Sequence, residues 1–293
     1  MKFWLKAFRL RTLPLALSGI ILGSALGGFA NWPVSVMLIL TATLLQITSN
    51  LANDYGDFKK GSDNNRQGEA RMVSSGKISA GTMLKAVYLF AVLGLICGIS
   101  AVIISPASLY TKLAVFATGL FAIWAAIAYT MGKMPYGYQG LGDLFVLIFF
   151  GWVPVLVSKL LLGGELAFLD IFPSTALGLL ATSVLNVNNL RDAEEDKKNG
   201  KKTVVVRLGI AGAKSYHAML IALPFLFLSI YNIQSSQQTL LSILPYLSLV
   251  LIIPAGLKVL KSEDPKILDA QLKFHALGAA SFGIFLALSI YYA

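Results

Sequence analysis

Two short stretches combine acids, amides and lysines at spacings that could do chemistry. The first is NDYGDFKKGSD, residues 53–63, and the second is NNLRDAEEDKKNGKKT, residues 188–203. Each contains Asn-x-x-x-Asp, as Asn53 to Asp57 and as Asn188 to Asp192, and the second continues in register to Asp196. A spacing of four places these side chains on one helical face. Asn50 and Asp54 extend the first stripe, while Asn189 and Glu195 flank the second. Each stretch closes a long apolar run, so each cluster is expected at a helix C-terminus. That pole already carries about half a negative charge, and a carboxylate added there costs roughly 0.3–1 kcal/mol. Asp54, Asp57, Asp192 and Asp196 therefore call for a compensating cation.

Two sources of that cation fit the residues. Lys59, Lys60, Arg191 and Lys197 could supply it as a fringe of interfacial salt bridges. A bound metal could supply it instead, because carboxylates and amide carbonyls are hard oxygen ligands that suit Mg²⁺. Mg²⁺ keeps some positions for water and substrate phosphate, and nearby lysines would then bind the phosphate oxygens the metal leaves uncovered. The repetition of the pattern, with amides on the same face both times, favours a Mg²⁺-diphosphate site. In an apolar bundle the substrate that fits is an isoprenoid diphosphate: the metal neutralises the leaving group and the bundle keeps water from an allylic cation.

The elements that must position these residues are membrane helices. Of 293 residues 56% are hydrophobic and 13% charged, and the mean hydropathy is +0.73, which excludes an ordinary soluble domain. A bilayer core takes roughly 20 apolar residues per helix. The polar interruptions define nine spans near 12–30, 33–55, 80–104, 108–130, 142–162, 168–190, 212–232, 239–259 and 270–291. The expected fold is all-α, with residues 1–293 forming one intramembrane domain. The basic N-terminus imitates a secretory signal, but eight further spans make the first a membrane helix. Cys97 is the only cysteine, so no intramolecular disulfide is possible. His217 and His275 lack metal-ligand spacing and are expected at the interface, and a place in an interfacial belt is an alternative reading of Tyr129 and Tyr138.

The net charge of +10 could suggest a nucleic-acid partner, but its distribution points to the lipid bilayer. With the N-terminus inside, all 24 Lys and Arg except Lys112 and Lys159 fall on the inner side. The positive-inside rule then sets the N-terminus in the cytoplasm and the C-terminus outside. Of the 14 acids only Glu165 and Asp170 fall on the outer side, so any chemistry is expected at the cytoplasmic face of the inner membrane.

Taken together, the two stretches resemble the aspartate-rich motifs of the UbiA-type intramembrane prenyltransferases. GEARMVSSGKIS (68–79), RLRTLPLALSGIILG (9–23) and YTMGKMPYGYQGLGDLFVLIFFG (129–151) carry the likeness further. The six-residue step from Asp57 to Asp63, with Gly61 between, is typical of one branch, the 1,4-dihydroxy-2-naphthoate polyprenyltransferases of menaquinone biosynthesis. The resemblance implies nine helices around a central cavity, with the 2–3 and 6–7 loops forming a cytoplasmic cap. It implies Mg²⁺, a polyprenyl diphosphate donor, and 1,4-dihydroxy-2-naphthoate as acceptor, prenylated with loss of CO₂ and release of diphosphate to give demethylmenaquinone.

By the same resemblance Asn53, Asp57, Asp63, Asn188, Asp192 and Asp196 hold the metal or its waters, with Asp54 close behind. Lys59 and Arg71 bind diphosphate from the first loop, and Lys201 or Lys202 from the second. Tyr129 stands near the reacting carbon, where an aromatic face can stabilise a developing cation. Arg11 faces the acceptor carboxylate, and Lys133 falls where the wider superfamily often has a basic residue. Another aromatic acceptor, such as 4-hydroxybenzoate or homogentisate, is compatible with these motifs. A cation transporter is the competing class, but transport favours charges near the bilayer midplane, and here they gather at one mouth.

Overall fold

The computed structural model describes residues 2–29, 31–62, 71–235 and 239–292. The expected Asp63 lies outside the described residues. The N-terminal helix α1 (Lys2–Phe8) and a 3-10 turn (Leu10–Thr12) lead into α2 (Leu13–Leu26). Next come α3 (Trp32–Lys60), α4 (Ala80–Ile104) and α5 (Leu109–Ala128). Then α6 (Gly142–Val146) runs through a π-helical turn (Leu147–Trp152) into α7 (Val153–Leu161). The chain continues as α8 (Ile171–Arg191), α9 (Ala193–Lys198), α10 (Val204–Gln234), α11 (Leu249–Lys261) and α12 (Pro265–Tyr292). The described residues contain helices and no strand, as expected of a chain that must satisfy its backbone inside lipid.

Eight helical segments among the described residues are long and apolar enough to cross a bilayer, and they match the second to ninth expected spans. The multi-pass membrane architecture follows from them. The first expected span is a 14-residue helix, α2. At 1.5 Å per residue it covers about 21 Å, short of a bilayer core of about 30 Å. What holds α2 is close packing. A Cβ on its Gly23 would collide with the Val155 carbonyl oxygen, so glycine lets the backbones of α2 and α7 touch.

Apolar side chains from six helices meet around α2: Leu22, Val155, Leu177, Leu228, Ile252 and Phe282 are all buried. A second cluster, including Leu51, Met83 and Val87 with Met72 and Val73, joins α3 to α4 and to the turn at 71–78. Large apolar residues such as Trp32, Ile103 and Leu113 remain exposed, as suits a lipid-facing surface.

Two expectations change. The 191–211 segment, expected as a loop, contains α9 and the start of α10. Gly209 (φ 70°, ψ 170°) breaks that helix before its long apolar part. His217 and His275, expected at the interface, are buried, and their Nε2 atoms face each other at 3.1 Å. Asn186 and the Gln271 carbonyl take their Nδ1 atoms. The two histidines and Asn186 come from helices remote in sequence, so spacing alone does not reveal the pair.

Candidate active site

The last turns of α3 carry the first acid cluster. Gly61, in the left-handed region at φ 71°, ends the helix there. Gly56 brings this end against the C-terminus of α5, because a Cβ there would lie 2.7 Å from the Thr130 carbonyl oxygen. Thr130 Oγ1 then donates to Asn53 Oδ1 at 3.1 Å. The second cluster spans the α8–α9 junction. Regular helix ends at Arg191, yet Asp192 N–H donates to Asn188 O (3.1 Å) and Asp196 N–H to Asp192 O (2.8 Å). The four-residue stripe therefore survives the break.

Both stripes open onto one cavity of about 400 Å³. Asn53, Asp57, Asn188, Asp192 and Asp196 line its polar mouth together with Arg11, Arg71 and Lys201. Its apolar arm runs between helices past Ile99, Phe116, Gly119, Phe149 and Val157. Phe149 lies in the π-helical turn, a feature that often re-aims side chains at functional sites. Tyr129 lines the cavity too, its ring 5.3 Å from that of Tyr136, which stacks on Phe145 at 4.0 Å.

Asp57 is a hub. Arg71 Nη2 donates to Asp57 Oδ2 at 2.9 Å, and Tyr138 OH donates to Asp57 Oδ1 at 2.8 Å. Lys201 Nζ lies 3.5 Å from Asp57 Oδ1 and 3.3 Å from Asp196 Oδ1, bridging the two clusters. It also sits 4.7 Å from the centre of the Tyr138 ring. Asn199 Nδ2 donates to the Ser62 carbonyl, so the chain beyond α3 touches the chain beyond α9. Asp192 is held by its neighbour: Arg191 Nε and Nη2 reach Asp192 Oδ1 and Oδ2 at 2.7 and 2.6 Å.

Other expected residues lie apart. Asp54 is buried but its carboxylate accepts from the backbone N–H groups of Met72 (2.8 Å) and Val73 (3.1 Å), and it does not line the cavity. Its place beside the stripe turns it toward the 71–73 turn, so both oxygens are engaged away from the mouth. Lys59, Lys133 and Lys202 are exposed, with no place in the cavity wall. Lys59 Nζ lies 5.8 Å over the Tyr55 ring, and the Lys202 backbone N–H donates to the Tyr138 carbonyl. Tyr138 and Arg9 line the cavity although sequence patterns give them no role there. Tyr138 matches an interfacial belt residue equally well, and nothing in its spacing distinguishes it.

The donor chemistry of the mouth fits Mg²⁺. Among the described residues no three carboxylate, imidazole or thiol groups converge as a ready metal cage. Mg²⁺ does not require one, since one or two carboxylates with water and substrate phosphate suffice. Three carboxylates, Asp57, Asp192 and Asp196, face this mouth together. The Asp196 carboxyl is raised to about 6, by burial first and then by Asp192 and Asp57, against the lowering effect of Lys201. A cation would relieve that repulsion.

A 1,4-dihydroxy-2-naphthoate octaprenyltransferase of Escherichia coli (strain K12) is 41% identical over 292 residues, 98% of this chain and 94% of that protein. One of the same name from Haemophilus influenzae is 43% identical, covering 77% of this chain and 75% of that protein. A UbiA homolog from Aeropyrum pernix K1, solved in its apo form, shares the fold with TM-score 0.72 at 13% identity, covering 97% of this chain and 98% of its own. A UbiA homolog from Archaeoglobus fulgidus, solved bound to GPP and Mg²⁺, gives TM-score 0.66 at 16% identity, covering 99% of this chain and 100% of its own. The UbiA prenyltransferase family model matches residues 12–291, and the chain belongs to that family.

Proposed function

We propose that this protein transfers a polyprenyl group from polyprenyl diphosphate to 1,4-dihydroxy-2-naphthoate, releasing diphosphate and CO₂ and giving demethylmenaquinone in its quinol form. The observation that carries the reading is the convergence of both aspartate-rich stripes on the mouth of one apolar cavity. The 41% identity to a naphthoate octaprenyltransferase along nearly the whole chain supports the choice of acceptor. The Mg²⁺ bound with GPP in a protein of the same fold supports the metal.

Mg²⁺ at Asn53, Asp57, Asn188, Asp192 and Asp196, with Asp63 from the adjoining segment, would neutralise charge on the departing diphosphate. Arg71 and Lys201, already beside these acids, bind diphosphate oxygens the metal leaves uncovered. Lys59 and Lys202 stand exposed near the mouth and steer the anionic donor toward it. The apolar arm holds the prenyl tail and excludes water. Tyr129 presents its ring where the allylic carbon loses its diphosphate oxygen. Arg11 pairs with the acceptor carboxylate. We assign Lys133 a weaker, outer role on the acceptor side.

The balance of the transfer is simple. The allylic C–O bond breaks with its electron pair going to diphosphate. A C–C bond forms at the carboxyl-bearing carbon, and the pair left by departing CO₂ restores the aromatic ring. No base is needed at that carbon. We also place residues 1–293 in the inner membrane as one unit, with the N-terminus and active site cytoplasmic and the two long loops capping the mouth.

Membranes carrying the protein, given labelled polyprenyl diphosphate and each acceptor in turn, test the reading. Labelled product is expected with 1,4-dihydroxy-2-naphthoate, together with stoichiometric CO₂, and chelation of Mg²⁺ should stop it. Product formed from 4-hydroxybenzoate or homogentisate alone would overturn the acceptor assignment.

A further inference from the structure

Helix α12 holds none of the residues assigned above to the site, yet its first turns reach the second acid cluster. Arg191, at the end of α8, is 4% exposed. Its guanidinium spends its donors on three side chains. Nε and Nη2 hold both Asp192 oxygens, Nη2 also reaches Asn188 Oδ1 at 2.8 Å, and Nη1 reaches Asp269 Oδ1 on α12 at 2.5 Å. Asp269 does not line the cavity. Among the described residues its side-chain partner is Arg191, the cation that holds two of the proposed metal donors.

The electrostatics give this arrangement a purpose. A guanidinium bound two-pronged to Asp192 competes with a metal for the same oxygens. It can yield one of them cheaply only if its charge remains paired and its plane remains fixed. Asp269 supplies both conditions, from a different helix and on a different nitrogen. With Asp269 removed, Arg191 would lose that second carboxylate and hold Asp192 more tightly. Asn188 Oδ1 would also lose the fixed donor that sets its direction.

We propose that Asp269 is a positioning residue for the metal site: it anchors Arg191 so that Asp192 can give an oxygen to Mg²⁺ while Asn188 stays aimed at the mouth. This rests on the proposed function above, in which Asp192 and Asn188 are metal donors. Partners of this outer kind typically change metal affinity by about 10–100-fold. The inference therefore concerns how much Mg²⁺ the site needs more than how fast the loaded site turns over.

The test uses the full chain purified in detergent and its thermal unfolding midpoint, titrated with Mg²⁺ in the presence of inorganic diphosphate. Asp269→Asn is expected to move the half-saturating Mg²⁺ concentration up by about tenfold, with Asp269→Glu returning it to within about twofold. Arg191→Lys, whose single Nζ cannot span three acceptors, should also raise it. The matching kinetic signature is a raised Mg²⁺ requirement whose loss of turnover is largely recovered at high Mg²⁺. A wild-type Mg²⁺ midpoint in Asp269→Asn, with only a lower baseline stability, would overturn the proposal and leave a structural ion pair. If Asp269→Asn does not fold, Asp269→Glu and Arg191→Lys decide: wild-type midpoints in both overturn it, and rescue by Glu with failure by Lys supports it. Asp192→Asn separates the two levels of inference. If that variant keeps the full Mg²⁺ response, the metal reading itself has failed; if it loses the response while Asp269→Asn keeps it, only the positioning role has.

Discussion

The two aspartate-rich regions look alike in sequence and are held differently. Asp57 is fixed by residues far along the chain: Arg71 beyond α3, Tyr138 before α6 and Lys201 beyond α9. Asp192 is fixed by the residue beside it, Arg191, which is in turn fixed by Asp269. The first region is therefore a junction where three connections meet, and its geometry exists only when they are assembled. The second is set by its own helix and a cross-helix ion pair. A repeat in sequence has become a division of labour in space, with Lys201 touching acids of both halves.

The strongest way to break that comparison is to neutralise each hub acid. Asp57→Asn and Asp192→Asn should each lower turnover by more than about 100-fold, since metal-site ligands and their partners carry effects of that order. Each variant should remain inserted and helical by circular dichroism. Near-normal turnover at limiting Mg²⁺ in either would show that the two halves do not share one metal site. Lys201→Ala comes next. Hydrogen bonds to charged groups contribute about 1.5–3 kcal/mol, so the donor KM should rise at least about tenfold, and the Mg²⁺ midpoint should fall, because the ammonium that competes for the Asp57 and Asp196 oxygens is gone. A change confined to donor KM, with the Mg²⁺ midpoint intact, would make Lys201 a phosphate ligand only.

Much of this site is legible in the sequence, for a physical reason. Helical periodicity is local, so the i, i+4 stripes of Asn53 with Asp57 and of Asn188 with Asp192 and Asp196 can be read without knowing the fold. Hydropathy is equally local, and eight of the nine spans read from it are helices long and apolar enough to cross a bilayer. What periodicity cannot give is the direction in which one residue off the stripe points. Asp54 adjoins the stripe, yet it serves the backbone of Met72 and Val73. The partners of the hubs are also hidden. Tyr138 reaches Asp57, and Asp269 reaches Arg191, across sequence separations of 81 and 78 residues, where no local pattern operates. The His217–His275 pair is invisible for the same cause, since α10 and α12 bring it together only on packing.

Asp54 sharpens the comparison from the other side, because it belongs to the motif and not to the mouth. Asp54→Ala would strand two buried backbone N–H groups, at about 1–3 kcal/mol for each amide left unpaired. The thermal midpoint should fall, and the turn that presents Arg71 to Asp57 should loosen. The half-saturating Mg²⁺ concentration should change far less than in Asp57→Asn at matched folded fraction. A Mg²⁺ shift as large as that of Asp57→Asn would restore Asp54 to the metal set.

The smallest effect tests what a neutral donor contributes to the junction at Asp57. Tyr138 OH donates to Asp57 Oδ1 and is shared with Ser62 Oγ, whereas a guanidinium grips both oxygens of Asp192. A hydrogen bond from a neutral hydroxyl contributes about 0.5–1.5 kcal/mol, so Tyr138→Phe should shift the Mg²⁺ midpoint by roughly two- to tenfold. Tyr136→Phe is the matched control. Its hydroxyl donates to the Ala125 carbonyl at 2.8 Å, a bond within the fold with no acid at its end. That variant should lose a little stability and keep its Mg²⁺ response. Equal shifts in the two would mean that the tyrosines support the cavity wall as a unit. A shift in Tyr138→Phe alone would mean that the first region depends on a neutral donor where the second uses a charged one.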